Sequence, residues 1–419
     1  MNKKLIAVAV AGLFAAPVAA LAQSSVTISG YMKGSVDSVR VSGETASPAT
    51  RTGNRSETRV TDHSSRILFN VVEDLGGGMQ AVGQFDLRMS IDAVNRTSNS
   101  TTASPTTTAT TPSINPLNGG NNHVGLRGSW GSIKIGRQDT HYGNSGDTTP
   151  SKAGHLGAWN SSVFDCVQRP GSSQACMANL SRTANLVWYD SPKWGGFTFM
   201  VGMSTGGTRV STTPEYENDL GTTGRKGRAW TFNPVYNGGN WELAWSHWDS
   251  KSDWSGATAS QAAVPQATLN AVNDERADSI RGHYIWGGLR VGLAFNRSRT
   301  IAPLTGLKTG QRNAWALPVS YNWGPHTVYG TYTKAGNSRS DAIPAAATTG
   351  TGARIITLVY NYDLSKRTSV GVTYSSLRNQ SNAAYNQFYT GDSAFGGTAG
   401  GSLNGEDWRL LAIGLRHNF

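Results

Sequence analysis

Cysteine is nearly absent, with only Cys166 and Cys176 in 419 residues. That excludes a disulfide-dense small scaffold, and two cysteines at this spacing offer too few ligands for a structural zinc site. Long apolar runs are missing beyond the N-terminus: no later stretch approaches the roughly 18 consecutive apolar residues of a membrane helix. Charged residues are sparse at 15%, and acids are the scarcer sign, with Asp+Glu 26 against Lys+Arg 37 and a net charge of +11. No basic run tracks a phosphate backbone, so a nucleic-acid partner is not expected. Mean hydropathy is −0.37, which excludes a helical membrane protein. Present instead are Gly 50, Trp 13 and Tyr 14, with Ser/Thr-rich interruptions, the composition of an all-β chain with many turns.

The first 22 residues form a separate unit. Lys3 and Lys4 precede an apolar run from Leu5 to Ala20, and Ala20-Leu-Ala22 supplies small-residue cleavage chemistry, so 1–22 reads as a secretory signal peptide and 23–419 as the mature protein. The run is too short, and wrongly flanked, for a membrane anchor. Within 23–419 no linker separates two composition regimes, and one large closed sheet fits both length and composition. In the oxidising compartment beyond the inner membrane, Cys166 and Cys176 are expected to pair, closing a loop of about ten residues for about 2 to 3 kcal/mol.

The first mature strand alternates strictly: Val26, Ile28, Met32 and Val36 take one face, and Thr27, Ser29, Tyr31, Lys33 and Ser35 the other. Farther on, short turns such as Gly128-Ser-Trp-Gly131, Asn237-Gly-Gly-Asn240 and Trp323-Gly-Pro325 alternate with long Ser/Thr/Asn-rich loops at about 38–63, 93–120, 139–182, 205–225, 251–275, 299–311, 336–352 and 379–404. One tight end and one shaggy end is the asymmetry of an outer-membrane barrel, and the segments between them number roughly sixteen. Trp188, Tyr189, Trp194, Tyr236, Trp241, Trp286, Trp323, Tyr362 and Phe419 lie beside the short turns, where an interfacial girdle is expected. The segment 139–182 is the longest loop. It holds both cysteines, the acids Asp139, Asp147 and Asp165, and a mixture of bases and aromatics that includes His141, His155 and Trp159. A loop of that length inside a compact protein is usually functional, and it is expected to fold into the lumen and narrow it.

The stretches Ser24-Ser-Val-Thr-Ile-Ser-Gly30, Glu73-Asp-Leu-Gly-Gly-Gly78, Val124-Gly-Leu126, Ile135-Gly-Arg-Gln138, Tyr189-Asp-Ser-Pro192 with Gly195-Gly-Phe197, Tyr362-Asp-Leu-Ser-Lys-Arg-Thr368 and Gly414-Leu-Arg-His-Asn-Phe419 run the length of the mature chain. Jointly they resemble the general porins of the Gram-negative outer membrane, of the β-proteobacterial type. The resemblance implies an all-β fold: a sixteen-stranded antiparallel transmembrane β-barrel with the third external loop folded into the lumen. It also implies a homotrimer surrounded by outer-membrane lipid, and a terminal Phe419 read by the barrel-assembly machinery. In porins of this kind a ladder of wall arginines faces acids on the inward loop. Arg66 and Arg182 match ladder positions, and Asp139, Asp147 and Asp165 are the candidate opposing acids. Lys33 and the cysteine pair depart from the family pattern.

With the apolar face toward lipid, period-two parity places Lys33, Arg66, Arg88, Arg127, Lys134, Arg182, Arg281 and Arg290 in the lumen, against the acids Asp37, Asp86 and Glu242. Fixed positive charge in a narrow throat concentrates counter-ions. The expected function is therefore a water-filled passive diffusion channel for small anionic or neutral solutes, preferring anions, with no cofactor and no metal. The alternative within the same fold is a substrate-specific channel for dicarboxylates, phosphates or sugars. An enzyme needs a nucleophile beside an oriented base, and the nearest candidate, His63-Ser-Ser65, points neighbouring side chains apart on an extended chain. An adhesin or purely structural barrel would conduct nothing.

Overall fold

The computed structural model describes residues 24–43, 55–89, 91, 120–140, 161–165, 167–168, 174–175, 182–204, 224–225, 228–251, 254–255, 274–302, 305–341, 348–387 and 404–419. The expected signal peptide at 1–22, Asp147, Cys166 and Cys176 lie outside these residues, as does the side chain of Arg182. Sixteen staves form one closed antiparallel sheet. They are β1 (Ser25–Ser42), β2 (in two segments, Arg55–Asp62 and Arg66–Gly76), β3 (Met79–Arg88), β4 (Asn122–Gly128), β5 (Gly131–Asp139), β6 (Arg182–Asp190), β7 (Phe197–Ser204), β8 (Arg228–Asn237), β9 (Trp241–Lys251), β10 (Asp274–Trp286), β11 (Leu289–Ile301), β12 (Lys308–Trp323), β13 (His326–Ala335), β14 (Ala353–Asp363), β15 (Thr368–Asn379) and β16 (Asp407–Asn418). Each pairs with its sequence neighbour, and β16 pairs with β1 from Tyr31↔Asn418 to Ser42↔Asp407, which removes every free edge.

The alternation is inside-out relative to a water-soluble protein. On β14, Ile356, Leu358 and Tyr360 are exposed, whereas Thr357 and Asn361 are buried. On β16 the exposed set is Leu411, Ile413 and Leu415, and on β1 it is Val26, Ile28, Met32 and Val36. An apolar face turned outward around the whole circumference is stable only against hydrocarbon, and a polar face turned inward suits a wet lumen. The girdle beside the short turns comprises Trp194, Tyr236, Trp241, Trp286, Trp323 and Phe419, all exposed. Trp188 is a correction to that set. Its neighbour Tyr189 has the outward parity, so Trp188 points inward, buried to 3%, and donates from Nε1 to Asp190 Oδ2 at 3.1 Å.

Two features of β1 and β2 were hidden in the pattern. β1 runs on to Ser42 and β2 begins again at Arg55, inside a span expected to be loop. There the apolar residues Val39 and Val41 have moved to the inner face and join an internal core, leaving Ser38 and Arg40 outward, so the oily-outside signal fails while the strand continues. β2 is also interrupted by a bulge. Met32 and Lys33 of β1 oppose three residues, His63, Ser64 and Ser65, between the pairs Gly34↔Asp62 and Tyr31↔Arg66. Ser64 takes a left-handed φ of 65°, and the Asp62 carboxylate accepts the backbone N–H of Ser64 at 2.8 Å. The extra residue flips parity, so that Arg59 and Thr61 point inward before it and Arg66 after it.

The seam that closes the barrel depends on a glycine. Gly30 and Phe419 exchange two backbone hydrogen bonds, each 3.1 Å, and a Cβ at residue 30 would lie 2.3 Å from the Arg66 carbonyl oxygen and 2.8 Å from the Phe419 ring. Gly30→Val is therefore expected to cost about 2 kcal/mol or more in overpacking. Heat-modified gel mobility of the refolded chain in detergent measures it, with a lower temperature of barrel opening as the expected result.

Candidate functional site: a basic row and a seated loop

The bulge in β2 lines up cations from four adjacent strands. Arg66 lies opposite Tyr31 on one side and Arg88 on the other, and Lys33 lies opposite Arg416 of β16. All point inward. Tyr31 is the centre of the group: the Arg416 guanidinium carbon is 4.3 Å from its ring centroid, that of Arg66 is 4.8 Å away, and Lys33 Nζ is 5.7 Å away. The ring's negative face lets three cations gather where bare repulsion would spread them.

The carboxylate within this row is Asp86, which is fully buried. Arg88 binds it through two nitrogens, Nε to Oδ1 at 2.9 Å and Nη2 to Oδ2 at 2.8 Å, and Arg66 Nη1 reaches Oδ2 at 3.3 Å. Arg416 instead donates from Nε to Asn418 Oδ1 at 2.8 Å, an uncharged partner. Arg66, Arg88 and Arg416 around one buried acid leave a positive excess on this sector of the wall.

The structure brings Lys33, Arg66 and Arg88 together and places the other expected basic residues elsewhere. Arg127 sits at the short-turn end, where its Nε donates to Gln80 Oε1 at 2.6 Å. Lys134 is neutralised by Asp190, with Nζ to Oδ2 at 2.9 Å. Arg281 lies 3.9 Å from Glu242, and Arg290 contacts His283 Nδ1 at 3.1 Å. Arg59 is 3.8 Å from Asp37. For Arg182 only the backbone is described, paired with Asp139 across the base of the long loop. Arg416 and Tyr31 are site residues that the sequence reading did not select. The signal for Arg416 was available by counting back from the terminal residue, since outward Leu415 makes Arg416 inward.

Part of segment 139–182 also rests on the inner wall. A single turn of helix, α1 (Ser161–Asp165), contacts β11 to β14. Val163 and Phe164 are fully buried in a cluster with Ala294, Ala314, Ala316, Ala335 and Ala353. Alanines at facing inward positions leave room in the recess between them for a larger side chain. The polar anchor is Arg312, itself 2% exposed, which donates from Nη1 to the Val163 carbonyl oxygen and from Nη2 to that of Phe164 at 3.0 Å. Asn296 Nδ2 also donates to the Phe164 carbonyl oxygen, at 2.6 Å, and Ser298 Oγ to that of Asp165, at 3.4 Å.

The loop acids divide. Asp139 is tied to the loop base, accepting from Asn121 Nδ2 at 2.7 Å while its N–H donates to Asn121 Oδ1 at 3.1 Å. Asp165 is buried at the seat, beside Arg312. Burial pushes its carboxyl well above the ordinary carboxylate range, and the Arg312 guanidinium opposes that shift without cancelling it. A carboxyl whose pKa rises on seating favours the seated state while protonated. The contribution is complete below the ordinary value of about 4, and it is lost as pH climbs through the raised value. Loop-dependent current fluctuations should thus grow in the wild type as pH rises above the ordinary carboxylate range, and Asp165→Asn should flatten that dependence. Single-channel noise spectra recorded across a pH series check it.

Among the described residues no group of three His, Cys, Asp or Glu side chains is placed to hold a metal ion. A family model described as Gram-negative porin matches residues 7–382. The major outer membrane protein P.IB of Neisseria gonorrhoeae is 30% identical over 205 residues, which is 48% of this chain and 47% of that protein. P.IB of Neisseria meningitidis serogroup B is 30% identical over 207 residues, 48% of this chain and 49% of that one. The chain spans about half the length of the curated relatives it matches. Among solved structures, an anion-selective porin from Comamonas acidovorans superposes with a TM-score of 0.64 at 19% identity, covering 95% of this chain and 100% of that one. The trimer form of OmpT from Vibrio cholerae gives 0.54 at 12%, covering 94% and 99%.

Proposed function

Because the chain belongs to the Gram-negative porin family, and is a multi-pass β-barrel of the outer membrane, we propose that it forms a water-filled passive diffusion channel for small hydrophilic solutes, with a preference for anions. The observation that carries the preference is the row of Lys33, Arg66, Arg88 and Arg416 around Tyr31, with Asp86 as its internal acid. In a throat walled by low-dielectric protein, uncompensated fixed charge raises the local anion concentration and lowers that of cations. The acid-paired cations Lys134 and Arg281 add little to that field, and Arg127 acts at the mouth.

In this reading the seated turn α1 narrows the passage from the wall of β11 to β14. The rest of 139–182, with Asp147, the side chain of Arg182 and a Cys166–Cys176 bridge, completes the constriction. Residues 1–22 direct export and are removed. Phe419, hydrogen-bonded to Gly30, is presented to the barrel-assembly machinery before closure, and three copies assemble as a homotrimer. Family and fold both point to a passive channel rather than a catalyst. The fold shared with the Comamonas structure is one on which an anion-selective pore has been built.

The direct test is the reversal potential of the purified, refolded chain in a planar bilayer under a salt gradient. An anion-signed potential is expected, and a cation-signed one would overturn the reading. Current that saturates with one anionic solute, and not with chloride, would replace the general pore with a substrate-specific channel. Reductant should raise current noise if the cysteine pair braces the loop.

A further inference from the structure

A second part of the chain turns inward at the long-loop end of the barrel. β15 stops at Asn379, and the residues after it fold back over the inner wall, with Ala383, Tyr385 and Gln387 fully buried. The wall beneath them is apolar. Val39 and Val41 of β1, Leu377 of β15 and Leu410 of β16 all point inward and are buried in one cluster with Tyr385. Inward apolar side chains would meet water in an open lumen, so segment 380–387 is what keeps this sector dry. Farther from the long-loop end the same face of β15 is polar again, with Ser375 and Thr373.

Hydrogen bonds to main-chain atoms hold the segment in place. The Asn379 side chain brackets Tyr385, accepting its N–H through Oδ1 at 3.1 Å and donating from Nδ2 to its carbonyl oxygen at 2.8 Å. The Asn382 N–H donates to the Gly350 carbonyl oxygen and the Gly405 N–H to that of Ala383, both at 2.8 Å. The ring of Tyr385 is thereby brought to the seat of α1. It shares the buried cluster of Val163 and Phe164, and the Arg312 guanidinium carbon lies over its face, 5.9 Å from the centroid. Two nitrogens of Arg312 serve the Val163 and Phe164 carbonyl oxygens, while its Nε is buried without a hydrogen-bond partner among the described residues. For a buried cation short of acceptors, the negative face of an aromatic ring supplies compensation.

We propose that Tyr385 is a positioning residue for the constriction: its ring holds the Arg312 guanidinium in the orientation that grips α1, so that segments 380–387 and 161–165 are ordered and released together. Loosening either segment then loosens the other, because a coupling free energy acts equally in both directions. The consequence for current rests on the reading of α1 as an element that narrows the passage. The coupling between the two segments does not.

Amide hydrogen exchange of the full refolded chain in detergent, read by mass spectrometry, follows both segments directly. Tyr385→Leu removes the ring while keeping an apolar side chain in its place, and exchange at 161–165 should quicken about tenfold. Tyr385→Phe keeps the ring face and should stay within about twofold of the wild type. Asn379→Ala frees the Tyr385 main chain without touching α1, and should quicken exchange at 161–165 in the same direction. Phe164→Ala should in turn quicken exchange at 380–387. Heat-modified gel mobility like that of the wild type shows that each barrel has closed. Unchanged exchange at 161–165 in Tyr385→Leu would overturn the proposal, and so would equal quickening in the Phe and Leu variants, which would make the ring a filler and not a partner of Arg312. Single-channel noise separates the two readings: quickened exchange with unchanged noise would support the positioning role of Tyr385 and overturn α1 as the narrowing element.

Discussion

Removing Arg66 or Arg416 is expected to produce the largest change in ion preference that any single wall substitution gives. A unit charge at about 8 Å through an effective dielectric of about 40 is worth about 1 kcal/mol, roughly a fivefold change in the local concentration of each ion. The two residues differ usefully. Arg66 shares Asp86 with Arg88, so Arg66→Ala leaves that acid still bound by two nitrogens of Arg88. Arg416 has an uncharged partner, so Arg416→Ala subtracts one positive charge and disturbs no ion pair among the described residues. Both should move the reversal potential toward zero by similar amounts, and the double variant should reach or cross it. Asp86→Asn should move it the other way, toward a stronger anion preference. An effect of equal sign from Asp86→Asn and Arg416→Ala would show that wall shape, and not wall charge, sets the preference. Raising the ionic strength should shrink all four effects together, because the Debye length falls from about 10 Å at 0.1 M to about 3 Å at 1 M.

Arg312→Ala is the second substitution with a large expected consequence, and it acts on the loop. Two charge-assisted hydrogen bonds are lost, worth about 1.5 to 3 kcal/mol each, and the Val163 carbonyl oxygen loses the donor that holds it. That sum of about 3 kcal/mol or more is comparable with what one buried aromatic contributes by filling a cavity, about 3 to 5 kcal/mol for Phe. The turn should therefore spend much of its time off the wall. Conductance and current noise should rise while the thermal opening of the barrel stays near the wild-type value, since strand pairing is untouched. Phe164→Ala should give the same phenotype by emptying the recess, and Ala314→Phe by filling it from the wall. If Arg312→Ala lowers the barrel's thermal stability as much as it raises noise, the residue is a wall brace and not a loop anchor.

Much of the barrel was legible because lipid imposes a rule that local sequence must obey. Alternation at β1, β14 and β16, the short glycine turns and the terminal Phe419 give strand number, order and facing without reference to packing. What escaped reading depended on partners distant in sequence. Nothing local marks Ala294, Ala314, Ala316 and Ala335 as a seat for Phe164, since alanine is an ordinary inward residue until something lies against it. Nothing near Lys134 announces that Asp190, 56 residues away, removes its charge from the field. Parity alone puts Lys33, Arg66 and Arg88 on one face of their strands, yet the bulge at His63–Ser65 decides that they meet. A bulge is one extra residue, invisible until the opposing strand is counted.

The anchor of the inward turn grips main-chain oxygen atoms, and every residue type supplies those. That part of the hold is consequently indifferent to which side chains positions 163 and 164 carry, and a variant turn that keeps the same backbone path keeps this mooring to the arginine.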